Sequence, residues 1–183
     1  MMNQPSQSST TDWSWLADTY WYVPAESLSA LRYDPRKNTL AWVVDQTVWH
    51  ITGYRAGYFW GVTAVMQYDT GEEPPARPTG LVMFGSITPE GSVHVTFCPD
   101  VARLSLSSTV GIGRAILHDR GPSLEMQMST GMTERLAHRA YMTRTNPRDP
   151  SWTALPGIAL SVPEMLEGIE PPSVPSRKEP AGR

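Results

Sequence analysis

Between residues 12 and 167 a turn signal interrupts this chain roughly every 8–12 residues, and that rhythm constrains the fold more than any other feature. The clearest signals are Tyr54-Arg55-Ala56-Gly57, Pro89-Glu90-Gly91, Asp119-Arg120-Gly121-Pro122 and Thr130-Gly131-Met132-Thr133. They supply the Pro and Gly that tight turns require. Aromatic and β-branched runs lie between them at 19–23, 39–44, 46–54, 58–68, 81–88, 92–97, 110–118, 124–129 and 136–144. The second and third runs read as one strand with a bulge near Asp45. Residues 24–31 read as a short helix with Pro24 in its first turn, and residues 161–167 as a capped helical turn. Residues 69–78 form a loop rich in Gly, Glu and Pro, suited to a lid or a rim. The expectation is an all-β antiparallel meander of 8–9 strands, closed into a small barrel with short helical turns near both ends. One domain spans 12–167, with disordered tails at 1–11 and 168–183.

Composition narrows the function classes. A net charge of −3 gives no basic footprint for nucleic acid. No run is long and apolar enough for a membrane helix, and residues 1–11 carry no apolar signal segment. The lone Cys98 fits a reducing compartment, so a cytoplasmic location is expected. The four His have no ligand spacing and one Cys makes no thiolate cluster, so no metal is expected. Gly111-Ile112-Gly113 is a fragment of a dinucleotide fingerprint without its third glycine or its helix, and no cofactor is expected. Seven Trp and nine Met supply an adaptable, bulky interior, either a plain core or the lining of a cavity for a flat ligand.

Trp13-Ser14-Trp15-Leu16 leading into Thr19-Tyr20-Trp21-Tyr22-Val23 is similar to the Gly-x-Trp-Tyr opening of the lipocalin-like (calycin) barrels. Thr19 stands where that motif has glycine. The resemblance covers about 130 residues in layout and implies a cup with one open end. It also implies a basic residue from the last strand packed across the tryptophan, a role open to Arg139 or Arg144. Both carriers and small barrel enzymes, such as the bacterial phenolic acid decarboxylases, have this shape.

Alternation assigns faces. Val93, Val95 and Phe97 are expected inside, as are Leu124, Met126 and Met128, which leaves Glu125 outside. Leu136, Ala140 and Met142 carry His138 inward with them, and Ile112 and Ile116 carry Arg114. In the 46–68 hairpin both faces are apolar, which predicts cover by a terminal segment or by a second subunit in a homodimer. Trp49 with Ile51 is the more hydrophobic choice for its inner row; the alternative row brings in His50 and Tyr54.

An inward histidine trades protons near neutrality and an inward arginine holds an anion. A lone inward histidine is more often a satisfied core residue. The expected function is a barrel enzyme of small-molecule metabolism, working without metal or cofactor. It would carry out acid–base isomerisation, cyclisation or decarboxylation on an aromatic or polyene-like substrate. His138 is the expected proton-transfer group and Arg114 the anion anchor, with Glu125 and His50 as further catalytic candidates. Trp49, Tyr58, Trp60, Met83, Met126, Met128 and Tyr141 are the expected substrate-binding residues. The alternatives are a non-catalytic binder or sensor of a hydrophobic small molecule, and an interaction module without a cavity.

Overall fold

The structure, a computed structural model, describes residues 12–99, 109–118, 121–129 and 135–174. Nine strands follow in order: β1 (Thr19–Tyr22), β2 (Ser29–Asp34), β3 (Thr39–Arg55), β4 (Tyr58–Asp69), β5 (Thr79–Ile87), β6 (Ser92–Pro99), β7 (Thr109–His118), β8 (Gly121–Ser129) and β9 (Arg135–Thr145). Two short helices, α1 (Pro150–Thr153) and α2 (Val162–Leu166), close the described chain. Asp119 and Arg120 of the expected 119–122 turn, and the whole of the expected 130–133 turn, lie outside the described residues.

Every sequential pair from β2 to β9 is antiparallel, and β9 returns to β1 and β2. The result is a closed barrel with eight staves. β1 and β2 share one stave, because both lie between β3 and β9: Trp21 pairs with Trp49 and Arg144, and Leu31 pairs with Trp42 and Ala137. Pro24 interrupts that stave, since proline cannot continue a ladder of backbone donors. The chain makes a 3-10 turn at Ala25–Ser27 and resumes as β2. A helix over 24–31 was the expectation; only its first turn forms, and Ser29–Asp34 is strand because β3 and β9 offer it two free edges.

β3 is continuous as expected, but its irregularity falls between Ile51 and Gly53 and not at Asp45. Ala56 and Gly57 both have positive φ (50° and 86°), the mirror-image turn that suits tightly twisted hairpins. The inner rows of β3, β5, β6, β8 and β9 form one core around Trp21, Trp49, Met83, Phe97, Met126 and Met142. One end is stopped by a 3-10 turn at Ser14–Leu16, which seats Trp13 and Leu16 in that core; the Trp13 indole N–H donates to the Pro89 carbonyl (3.3 Å). Thr19 fits its place for a local reason: its hydroxyl donates to the Leu16 carbonyl and accepts the Trp21 indole N–H at 2.9 Å.

The outer face of the β3–β4 hairpin is covered by the chain's own C-terminal segment. Val48, Ala64 and Met66 pack under Leu155, Val162 and Met165, with Ile169 adding a further contact. The Ser161–Glu164 capping box holds the start of α2. Gln46, fully buried, fastens this cover: its amide donates to the carbonyls of Val23 and Pro156 (2.9 Å each), and its oxygen accepts from the Val23 N–H (3.2 Å).

Candidate functional site

A cavity of about 320 Å³ occupies the barrel end opposite Trp13, where β3 and β9 begin and β4 and β6 finish. Asp45, Thr47, Thr63, Val65, Gln67, Leu81, Phe97 and Leu136 line it, and Pro75, Arg77 and Thr79 form its outer edge. The 69–78 loop therefore serves as a rim. Strand parity explains the inner set. Trp49 pairs with Thr63 and Asp45 with Gln67, so the row that puts Trp49 inside also puts Asp45 and Thr47 inside.

Asp45 is the centre of the polar wall and is 2% exposed. Its Oδ1 accepts the Thr47 hydroxyl (2.7 Å), and its Oδ2 accepts the Gln67 amide (3.1 Å). Behind it lies His138, whose Nδ1 stands 3.6 Å from Asp45 Oδ2. That distance suits an ion pair and exceeds a hydrogen bond, which is why Nδ1 counts as lacking a hydrogen-bond partner. The other ring nitrogen, Nε2, is 2.7 Å from the Ser27 carbonyl. A carbonyl only accepts, so Nε2 carries a proton, and Nδ1 is the nitrogen that faces Asp45. The broken stave makes this arrangement. The 3-10 turn at Ala25–Ser27 brings the Ser27 carbonyl onto His138 and its hydroxyl onto the Tyr141 N–H, while the Leu28 carbonyl takes the Asp45 N–H.

Among the described residues, two further buried polar atoms have no hydrogen-bond partner: the hydroxyl of Thr63, on the cavity wall, and the indole N–H of Trp49, its cross-strand neighbour. Each such group costs about 1–3 kcal/mol when left unmet.

The expected residues divide. His138, Trp49, Met83 and Met126 face the interior, all at 2% exposure or less, but none of them lies on the cavity wall; they make its backing and floor. Met128 pairs with His138, and its side chain lies outside the described residues. Arg114 is a correction. Gly111, Gly113 and Ala115 form the inner row of β7, and Arg114 and Ile112 are exposed. The bulky Met126 fills the interior opposite Gly113, where a Cβ would strike its sulfur. Hydrophobicity therefore misleads on this strand, and the larger residues are turned out. Arg114 is no anion anchor for the cavity.

Tyr58 and Trp60 are likewise on the outer row of β4, and Tyr58 is 65% exposed. Tyr141 is exposed and joins Arg139 and Glu125 in an outside cluster: the Tyr141 hydroxyl and the Arg139 guanidinium both reach Glu125 (3.2 and 3.4 Å). His50 is outside too, stacked on Tyr20 at 4.0 Å and 3.2 Å from Asp18. None of Tyr58, Trp60, Tyr141, Glu125 and His50 lines the cavity. Arg144 pairs with Trp21 and lies over the Trp15 ring, so of the two basic candidates it is the one beside the opening aromatics.

Asp45, Gln67, Thr47, Thr63 and Arg77 were not among the expected site residues. Asp45 carried a signal: aspartate is depleted in strands, and it sits four residues before Trp49 on the same alternating row. Among the described residues no three His, Cys, Asp or Glu side chains come together in a way that could hold a metal ion. No described helix is long and apolar enough to cross a membrane. Comparison with family models, with curated proteins and with solved structures finds no match to this chain.

Proposed function

We propose that this barrel is an acid–base enzyme acting on a small molecule held at its open end, with Asp45 as the group that meets the substrate and His138 as the group behind it. The observation that carries this reading is a buried carboxylate on a cavity wall, backed at 3.6 Å by an imidazole nitrogen whose partner nitrogen is committed to a carbonyl. Asp45 accepts a proton from the substrate, and His138 Nδ1 takes up or returns positive charge behind it. Asp45 stands on the wall of an open cavity, so the proton it holds trades with water before one is returned to the substrate. A proton removed at one position and returned at another is an isomerisation; the same pair serves a cyclisation or decarboxylation that needs one proton delivered. The apolar part of the wall, Val65, Leu81, Phe97 and Leu136, suits an aromatic or conjugated body. The chemistry needs no metal or cofactor. The closed eight-stave meander, the Trp13–Leu16 stopper and Arg144 over Trp15 support kinship with the lipocalin-like (calycin) barrels. A cytoplasmic setting goes with the free Cys98.

The test is solvent exchange. Incubated in heavy water with small conjugated and aromatic acids and carbonyl compounds, the protein is expected to move deuterium into a substrate carbon position, seen by NMR. The Asp45→Asn variant should bind the same compound and leave it unlabelled. A second reading, a non-catalytic binder, is favoured by the absence of the His138 ring from the cavity wall. Binding without exchange or rearrangement, in which Asp45→Asn alters affinity alone, would establish the binder and end the enzyme.

A further inference from the structure

The charges of the cavity are ordered, and that order selects a ligand. Asp45 is buried in the wall, and Arg77, the one cation among the described lining residues, stands exposed at the outer edge. The Thr47 hydroxyl gives its proton to the carboxylate, which leaves its oxygen as an acceptor, and the Gln67 amide spends one N–H on Asp45 and keeps its carbonyl and a second N–H. Thr63, fully buried on the same wall, has a hydroxyl without a partner. An acid entering head-first meets the Asp45 carboxylate, and like-charge repulsion holds it out. A group rich in N–H donors meets what it needs.

We propose that the ligand is a small dipolar molecule that enters amine-first: a protonated amine on Asp45, an apolar body against Leu81 and Phe97, and a carboxylate facing Arg77. This rests on the cavity being the working site and specifies what that site takes.

A matched series on one benzene ring tests it: para-aminomethylbenzoic acid, benzylamine, benzyl alcohol, benzoic acid and toluene, with affinities from titration followed by NMR. The expected order places the amino acid first, benzylamine next and benzoic acid with toluene last, the ends separated by about tenfold or more, as a charge-assisted contact implies. Asp45→Asn should abolish the preference for amines, and Arg77→Gln should remove only the advantage of the para-carboxylate. The wild-type order alone decides the matter if Asp45→Asn fails to fold. Benzoic acid binding as tightly as benzylamine, or no compound binding, overturns the proposal. The catalytic reading fails separately: amine preference without proton exchange keeps this inference and drops the enzyme, whereas exchange on an acid that lacks a donor does the reverse.

Discussion

At one end of the barrel Trp13 and Leu16 close over Trp21, and the indole N–H groups of Trp13 and Trp21 both find oxygen acceptors. At the other end Asp45, Thr47, Thr63 and Gln67 face open space, and a buried hydroxyl goes unmet. The same strands run through both ends, and strand alternation treats both alike. The difference lies in which residues occupy the inner row. Bulky side chains there fill the space and stabilise the fold, while short polar ones leave a void and give up stability at the place where a ligand can restore it. Packed and open space are thus divided along the barrel axis.

The largest expected effect breaks the packed end. Trp21→Ala removes a fully buried indole together with the N–H that the Thr19 hydroxyl accepts, which should cost about 3–5 kcal/mol in urea unfolding. Leu81→Ala, on the cavity wall, already borders a void on one side and should cost only about 1 kcal/mol. Equal costs for the two would mean that the ends do not differ as described.

Gln46 sharpens the comparison, since it neighbours Asp45 in sequence but faces outward under the C-terminal cover. All its polar atoms are engaged, with Val23 and Pro156. Gln46→Leu leaves buried backbone groups without partners and should cost about 2 kcal/mol. It should also loosen the cover, seen as faster amide exchange in α2. Unchanged stability would show that the segment from Leu155 to Met165 is held by its apolar contacts alone.

Much of this was legible in the residues. The alternation of Val93, Val95 and Phe97 put the right row inside, as did that of Leu124 and Met126, and His138 came inward with Ala140 and Met142. Turn chemistry gave the hairpins. Two kinds of information were not local. On β7 the inner row is Gly111, Gly113 and Ala115, and it can be small only because Met126 comes across from β8; nothing within β7 reports that. On the first stave, Pro24 reads as a helix start, whereas its role is to break a strand whose second half finds edges supplied by β3 and β9. The site failed to appear for a related reason. Ionisable residues on strands with the clearest patterns drew attention to Arg114 and His138, while Asp45 read as a bulge because its partner Gln67 is 22 residues away.

Thr63→Val tests the open end directly. The change keeps the shape and removes an unpartnered buried hydroxyl, so the free protein should gain about 1 kcal/mol. A stabilised variant that also binds amines less well would tie the unmet group to the ligand. Destabilisation would show that the hydroxyl is already satisfied in solution, and the contrast between the ends would weaken.

The smallest effect concerns the outer surface near the packed end, where Tyr20 stacks on His50 and meets the Trp152 edge. Burial, and then the negative charge of Asp18, raise the Tyr20 phenol above its ordinary value. The folded chain therefore holds this proton more tightly than the unfolded chain. The stabilisation is complete below the ordinary phenol value, about 10, and is lost as pH rises through the higher folded value. Tyr68, at the other end, is raised as well, by burial and by Glu73. Its hydroxyl donates to the Gly157 carbonyl, so Tyr68→Phe also removes a contact at neutral pH, whereas Tyr20→Phe keeps the ring stack. Urea midpoints measured from about pH 9 to about pH 11 should fall less steeply in Tyr20→Phe than in the wild type, with the two coinciding at the lower limit. A slope unchanged by that substitution, but flattened by Tyr68→Phe, would move the alkaline sensitivity to the open end.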